Sequence, residues 1–135
     1  MDKYAKAFVK ASLVYLTVGT ILGVVMVVWP DTRFMLTRVH THLNLLGFMA
    51  MMIYGVGYHI LPRFMGRPVY SQRLGMSQVW LANITLVGLC LAWIWEALEG
   101  GTGHTLAIIF ASGHGLSIIL FVFNLWKSMA PQKSD

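Results

Sequence analysis

Five histidines stand out as the residues of this chain best equipped for chemistry: His40, His42, His59, His104 and His114. An imidazole can give a lone pair to a metal while its other nitrogen donates to an acceptor. In an apolar setting both needs must be met. His40 and His42 are two positions apart, which on an α-helix is about 200° of rotation, so they point to nearly opposite faces and serve two sites rather than one. The His40 face runs on through Asn44, Gly47, Met51, Gly55 and Tyr58, small and mildly polar. The His42 face runs through Leu45, Leu46, Met49, Ile53 and Val56, bulky and apolar. A porphyrin plate has room against either face.

His114 is flanked by Gly113 and Gly115, with Ser112 and Ser117 nearby, deep in an apolar run. A ligand or proton-relay role is expected there, the plainer alternative being a core imidazole bonded to a carbonyl or serine. His104 follows the segment Glu99-Gly-Gly-Thr-Gly, and His59 lies one turn before Arg63. For both, a place at the lipid headgroup level is the plain alternative. The nine methionines, Met49, Met51 and Met52 clustered among them, suit Cu(I) but are also ordinary filler in membrane cores. No Ser-His-Asp pattern, phosphate-binding glycine loop or intramembrane carboxylate pair is present, and no catalytic residue is assigned. The single Cys90 allows no internal disulfide.

The elements that must hold these residues follow from composition. The chain of 135 residues is 57% hydrophobic and only 11% charged, against about 25% charged in a soluble domain. Uncharged stretches run over Ala11–Pro30, Val39–Pro62, Leu74–Trp95 and Gly100–Trp126. Each is long enough for a helix to cross roughly 30 Å of hydrocarbon, and each is continuous rather than alternating, which favours helices over barrel strands. We therefore expect an all-α protein, a single four-helix transmembrane domain over residues 1–135 with spans of about 8–30, 39–62, 74–96 and 103–126.

One side of the membrane collects Lys3, Lys6, Lys10, Arg63, Arg67, Arg73, Lys127 and Lys133; the other holds Arg33 and Arg38 beside Asp31, Glu96 and Glu99. The positive-inside rule then places both termini in the cytoplasm and His40, His42 and His104 near the outer face. The net charge of +5 is thereby accounted for, with the lipid bilayer rather than nucleic acid as partner. Gly19 and Gly23 of the first span, and Gly103, Ala107, Ala111 and Gly115 of the fourth, allow close helix approach within the bundle or between copies.

The stretch His40-Thr-His42-Leu-Asn44-Leu-Leu-Gly47, followed by Tyr54-Gly-Val-Gly57-Tyr58-His-Ile-Leu-Pro62-Arg63-x-x-Gly66-Arg67, resembles the second helix of the haem–copper oxidase catalytic subunit superfamily. The likeness is greatest to its nitric oxide reductase and C-family oxidase branches, and covers about 35 residues. In that family twelve helices form three arcs of four, and a histidine near the outer end of such a helix ligates haem b. The resemblance implies that this chain is one arc and that a homotrimer rebuilds the twelve-helix arrangement. It implies haem b between subunits, with His42 of one copy and His40 of its neighbour as axial ligands. His114 or His104 is the alternative partner within a subunit, Gly47 would face the porphyrin, and Arg38 or Arg33 suits a propionate.

The copper-site histidines of that family have no counterpart here. What carries over is haem binding for electron transfer or for a diatomic gas such as O2 or NO, with a redox partner such as a quinol, in a bacterial or archaeal-type inner membrane. Any turnover would be that of a haem-dependent oxidoreductase. The rival expectations are a haem-free scaffold or assembly subunit of a larger respiratory complex, and a copper-binding membrane protein using His40, His42 and the methionines.

Overall fold

The computed structural model describes residues 1–130, which are helical throughout apart from short connections, with no strand among them. Helix α1 (Lys3–Val28) ends at a 3₁₀ turn, Pro30–Thr32. Then α2 (Arg33–His42), a π-helical segment (Leu43–Ala50) and α3 (Met51–Phe64) follow without a break as one long span. Helices α4 (Gln72–Glu99) and α5 (Thr102–Met129) complete the chain. The four helical units of 26, 35, 28 and 28 residues are long and apolar enough to cross a membrane. The expected spans fall within them, except that the first helix stops at Val28 and Pro30 already belongs to the turn.

The burial pattern is that of a bundle dissolved in lipid. Val14, Ile21, Val24, Ile84, Leu91, Ile109 and Ile119 are exposed, while Ser12, Gln78, Thr85, His114, Ser117, Asn124 and Ser128 are buried. Apolar side chains have no reason to leave a hydrocarbon solvent, whereas polar ones gain by bonding across helices. The chain is thus a multi-pass membrane protein by the length, composition and surface of its helices.

Each helix packs against its sequence neighbour, and α4 also touches α1, so the second span and α4 form the short diagonal of a rhombus. Among the described residues α1 and α5, at the far corners, do not meet. Two glycines make the tight turn from α4 to α5: Gly100 (φ 73°) and Gly101 (φ 37°) adopt backbone angles that side chains disfavour. At the other end, Gly66 (φ 62°) turns the chain out of α3. Ser71 then caps α4, its Oγ accepting from the Leu74 N–H at 3.2 Å.

The arginine-bearing end is pinned by rings and amides. Tyr4, Phe8, Tyr54, Tyr58 and Phe121 stack or meet edge to face. Tyr58 donates to Gln78 Oε1 (2.7 Å), and Asn124 Nδ2 donates to the Ser71 carbonyl (2.9 Å). The Ser71 N–H donates back to Asn124 Oδ1 (3.0 Å), so the turn entering α4 is tied to α5.

Candidate functional site

The histidine end is organised by a change of helical pitch. The buried residues of the second span fall at Leu36, Val39, Leu43, Gly47, Met51, Tyr54, Gly55, Tyr58 and Pro62. The three steps from Val39 to Met51 are of four residues each, more than the 3.6 of an α-turn, and would walk the stripe around a regular helix. The wider i→i+5 turns of Leu43–Ala50 take up the excess and keep the stripe facing inward. A local cause is visible at the start of the wide segment. Asn44 Nδ2 donates to the His40 carbonyl at 2.8 Å, competing with the backbone ladder for that acceptor.

His40 lies in the seam between α2 and α1. Its Nδ1 is 2.8 Å from the carbonyl oxygen of Gly19, and since a carbonyl only accepts, Nδ1 carries the proton. In the neutral ring the lone pair is then on Nε2, which makes no hydrogen bond among the described residues. The α1 glycines make this approach feasible. A Cβ on Gly23 would lie 3.0 Å from His40 Cε1, and one on Gly19 would lie 2.7 Å from Asn44 Nδ2. The Gly19-x-x-x-Gly23 pair is thus occupied within the chain.

His42 faces away from α1, toward α4. Its Nδ1–H donates to the Arg38 carbonyl at 2.9 Å, and its ring meets Trp93 edge-on with centroids 4.4 Å apart. Above it lies a charged cluster joining three spans. Arg38 Nη1 is 3.1 Å from Glu96 Oε2, and His104 Nδ1 is 3.2 Å from Glu96 Oε1. The Arg38 guanidinium also sits over Trp93, 5.7 Å from the ring centroid. The structure therefore brings Arg38, His42 and His104 together around Glu96 and Trp93, and sends His40 to a different seam. His59 stays apart at the arginine end, bonded by Arg63 one turn on.

His114 is buried between α4 and α5, with 2% exposure. Thr85 Oγ1 donates its proton to the Leu81 carbonyl (2.6 Å), so it meets His114 Nδ1 (3.2 Å) as an acceptor. Nδ1 is therefore protonated, and His114 Nε2 is left buried with no hydrogen-bond partner among the described residues. A buried polar atom in that state costs about 1–3 kcal/mol.

Gly47 packs against Tyr15 of α1, whose Cβ would be 2.7 Å from an added Cβ; in this chain it admits a tyrosine. The clustered methionines diverge. Met49 is exposed and Met51 fully buried, and Met52 Sδ accepts from Ser12 at 3.9 Å. Among the described residues no group of three or more His, Cys, Asp or Glu side chains is placed to hold a metal ion. Sequence reasoning missed Gly19 as the acceptor for His40, Glu96 as the hub of the charged cluster, and Thr85 as the partner of His114. None has a sequence signal of its own, since each is defined by a contact across helices. Compared with known proteins, the chain matches no family model, no curated protein and no solved structure.

Proposed function

We propose that this is a haem b-binding membrane protein, equivalent to one four-helix arc of a haem–copper oxidase catalytic subunit, with His40 and His42 as axial ligands. The observation that supports it best is the 2.8 Å bond from His40 Nδ1 to the Gly19 carbonyl. It fixes the tautomer and ring plane and leaves Nε2 as the basic atom, the arrangement typical of a metal-ligating histidine. His42 has the same form, with Nδ1–H on Arg38 and Nε2 free. Their placement in different seams suits a homotrimer, each copy offering one ligand to each neighbour. His114, with its unpartnered Nε2, is the alternative ligand within a subunit. Bound haem supplies electron transfer if both axial positions are filled, and gas binding if one is open.

The chain's own residues orient and charge the site. Gly19 and Asn44 hold His40, Trp93 fixes the His42 ring, and Arg38 presents a guanidinium beside it that a propionate would share with Glu96. Both termini and the arginine-bearing turn lie on the cytoplasmic side of an inner membrane in this reading, by the positive-inside rule.

The test is the absorption spectrum of protein purified from haem-supplied cells. A Soret band that H40A and H42A weaken and H59A leaves intact is expected; no band, or one unchanged in the H40A/H42A double variant, would sink the proposal. A mass in detergent of one or two copies would reject the trimer. A second reading, a haem-free scaffold subunit, draws on a recess of about 450 Å³ on the lipid-facing side of α4 and α5, lined by Trp80, Ile84, Leu91 and Phe110. It predicts a colourless protein that co-purifies with other subunits.

A further inference from the structure

At the arginine-bearing end, a second feature carries its own chemistry. A recess of about 380 Å³ opens where the Pro68–Tyr70 turn meets the end of α5, and Arg67 and Lys127 line it. Among the described residues no carboxylate lines it. Arg67 is oriented by a bond from Nη1 to the Ala130 carbonyl at 2.7 Å, which uses one of five guanidinium donors. Lys127 is held over Phe123, 5.9 Å from the ring centroid, and Tyr70 meets the same ring edge-on at 6.0 Å. Below the recess, α5 shows lipid an apolar ridge of Ile119, Val122, Phe123 and Trp126, all exposed.

We infer that this recess binds the headgroup phosphate of an anionic phospholipid, with the acyl chains lying along the α5 ridge. The two cations lining the recess favour a negatively charged group, and Arg with Lys suits phosphate. Tyr70 and Trp126 have the amphipathic character of side chains that sit at the membrane boundary, which places the recess at headgroup depth. The neighbouring pocket shares Arg67 but is also lined by Asp2, whose carboxylate repels the same ligand. A basic pocket beside transmembrane helices, continuous with a lipid-facing ridge, is fitted to a lipid rather than to a free ion. The site is independent of haem.

The experiment is thermal unfolding of the full-length protein in detergent, with phosphatidylglycerol, phosphatidylcholine or inorganic phosphate added at equal concentration. Phosphatidylglycerol is expected to raise Tm by about 4 °C and the other two by less than about 1 °C. The R67Q/K127Q variant is expected to lose that rise, while K6Q/K10Q, which removes as much charge elsewhere, keeps it. Equal shifts with both lipids, an equal shift with inorganic phosphate, or equal losses in the two variants would each overturn the assignment.

Discussion

The two seams that hold deep histidines are built on opposite terms. Between α1 and the second span, two glycines admit His40, its Nδ1 is satisfied at 2.8 Å, and the ring stays only half-buried. Between α4 and α5, His114 is 2% exposed and its Nε2 has no hydrogen-bond partner among the described residues. A half-open seam leaves a basic nitrogen within reach of something outside the chain. A closed seam must answer every polar group from within, and this one leaves one unanswered. The difference leaves the His40 ring partly open at the bundle surface and encloses His114 within the chain.

The largest effect that bears on this contrast is expected at the glycines. Gly19→Leu places a side chain where the Asn44 amide lies 2.7 Å away, and should cost about 3 kcal/mol by unfolding in detergent. A Cβ added at Gly115 on α5 meets nothing within 4 Å among the described residues, and Gly115→Leu should stay within about 0.5 kcal/mol. Equal costs would break the comparison. Next, His40→Leu removes the side-chain donor to the Gly19 carbonyl, which keeps only its own helix bond, and should cost about 1–2 kcal/mol. His114→Leu removes an unanswered polar atom and should be neutral, or stabilising by about 1 kcal/mol. A loss above about 2 kcal/mol at position 114 would instead mean that Nε2 has a bound partner. Thr85→Val deletes the acceptor of His114 and should cost about 1 kcal/mol in the wild-type background but nothing in His114→Leu, as a double-mutant cycle would read.

The smallest effect belongs to the charged cluster at the histidine end. Glu96→Gln breaks its contacts to Arg38 and His104, whose side chains are 50% and 68% exposed. It should change stability by less than about 1 kcal/mol, and less still at high salt. A larger change would show that the cluster, rather than the His40 seam, holds this end together.

Much of this architecture is legible along the chain. Uncharged runs marked the four spans, and a two-residue spacing sent His40 and His42 to different helices. The α-helical phase of the second span was readable only in part, because Leu43–Ala50 is wound more widely. Its buried stripe takes in Val39, which a uniform 3.6-residue period sets about 100° from His40, while His40 and Asn44 themselves are only half-buried. Asn44 was visible as a polar residue on that face, but its bond to the His40 carbonyl is a choice of rotamer that spacing does not encode. Trp80 shows the same limit from the other side. It is 64% exposed in the first third of α4, whereas Trp93, nearer the other end, is drawn in against His42 and Arg38.

What the sequence by itself determined is the solvent this protein lives in and the number of times it crosses it. Those follow from the summed transfer of side chains to hydrocarbon, a quantity indifferent to neighbours. Which nitrogen of His40 and of His114 is basic, and which seam closes over it, only the tertiary structure decided. The Gly19 carbonyl and the Thr85 hydroxyl each claim one Nδ1 across helices, at short range and in one direction. Hydrogen bonds of that kind exist only once helices have docked, so no property of the chain read residue by residue contains them.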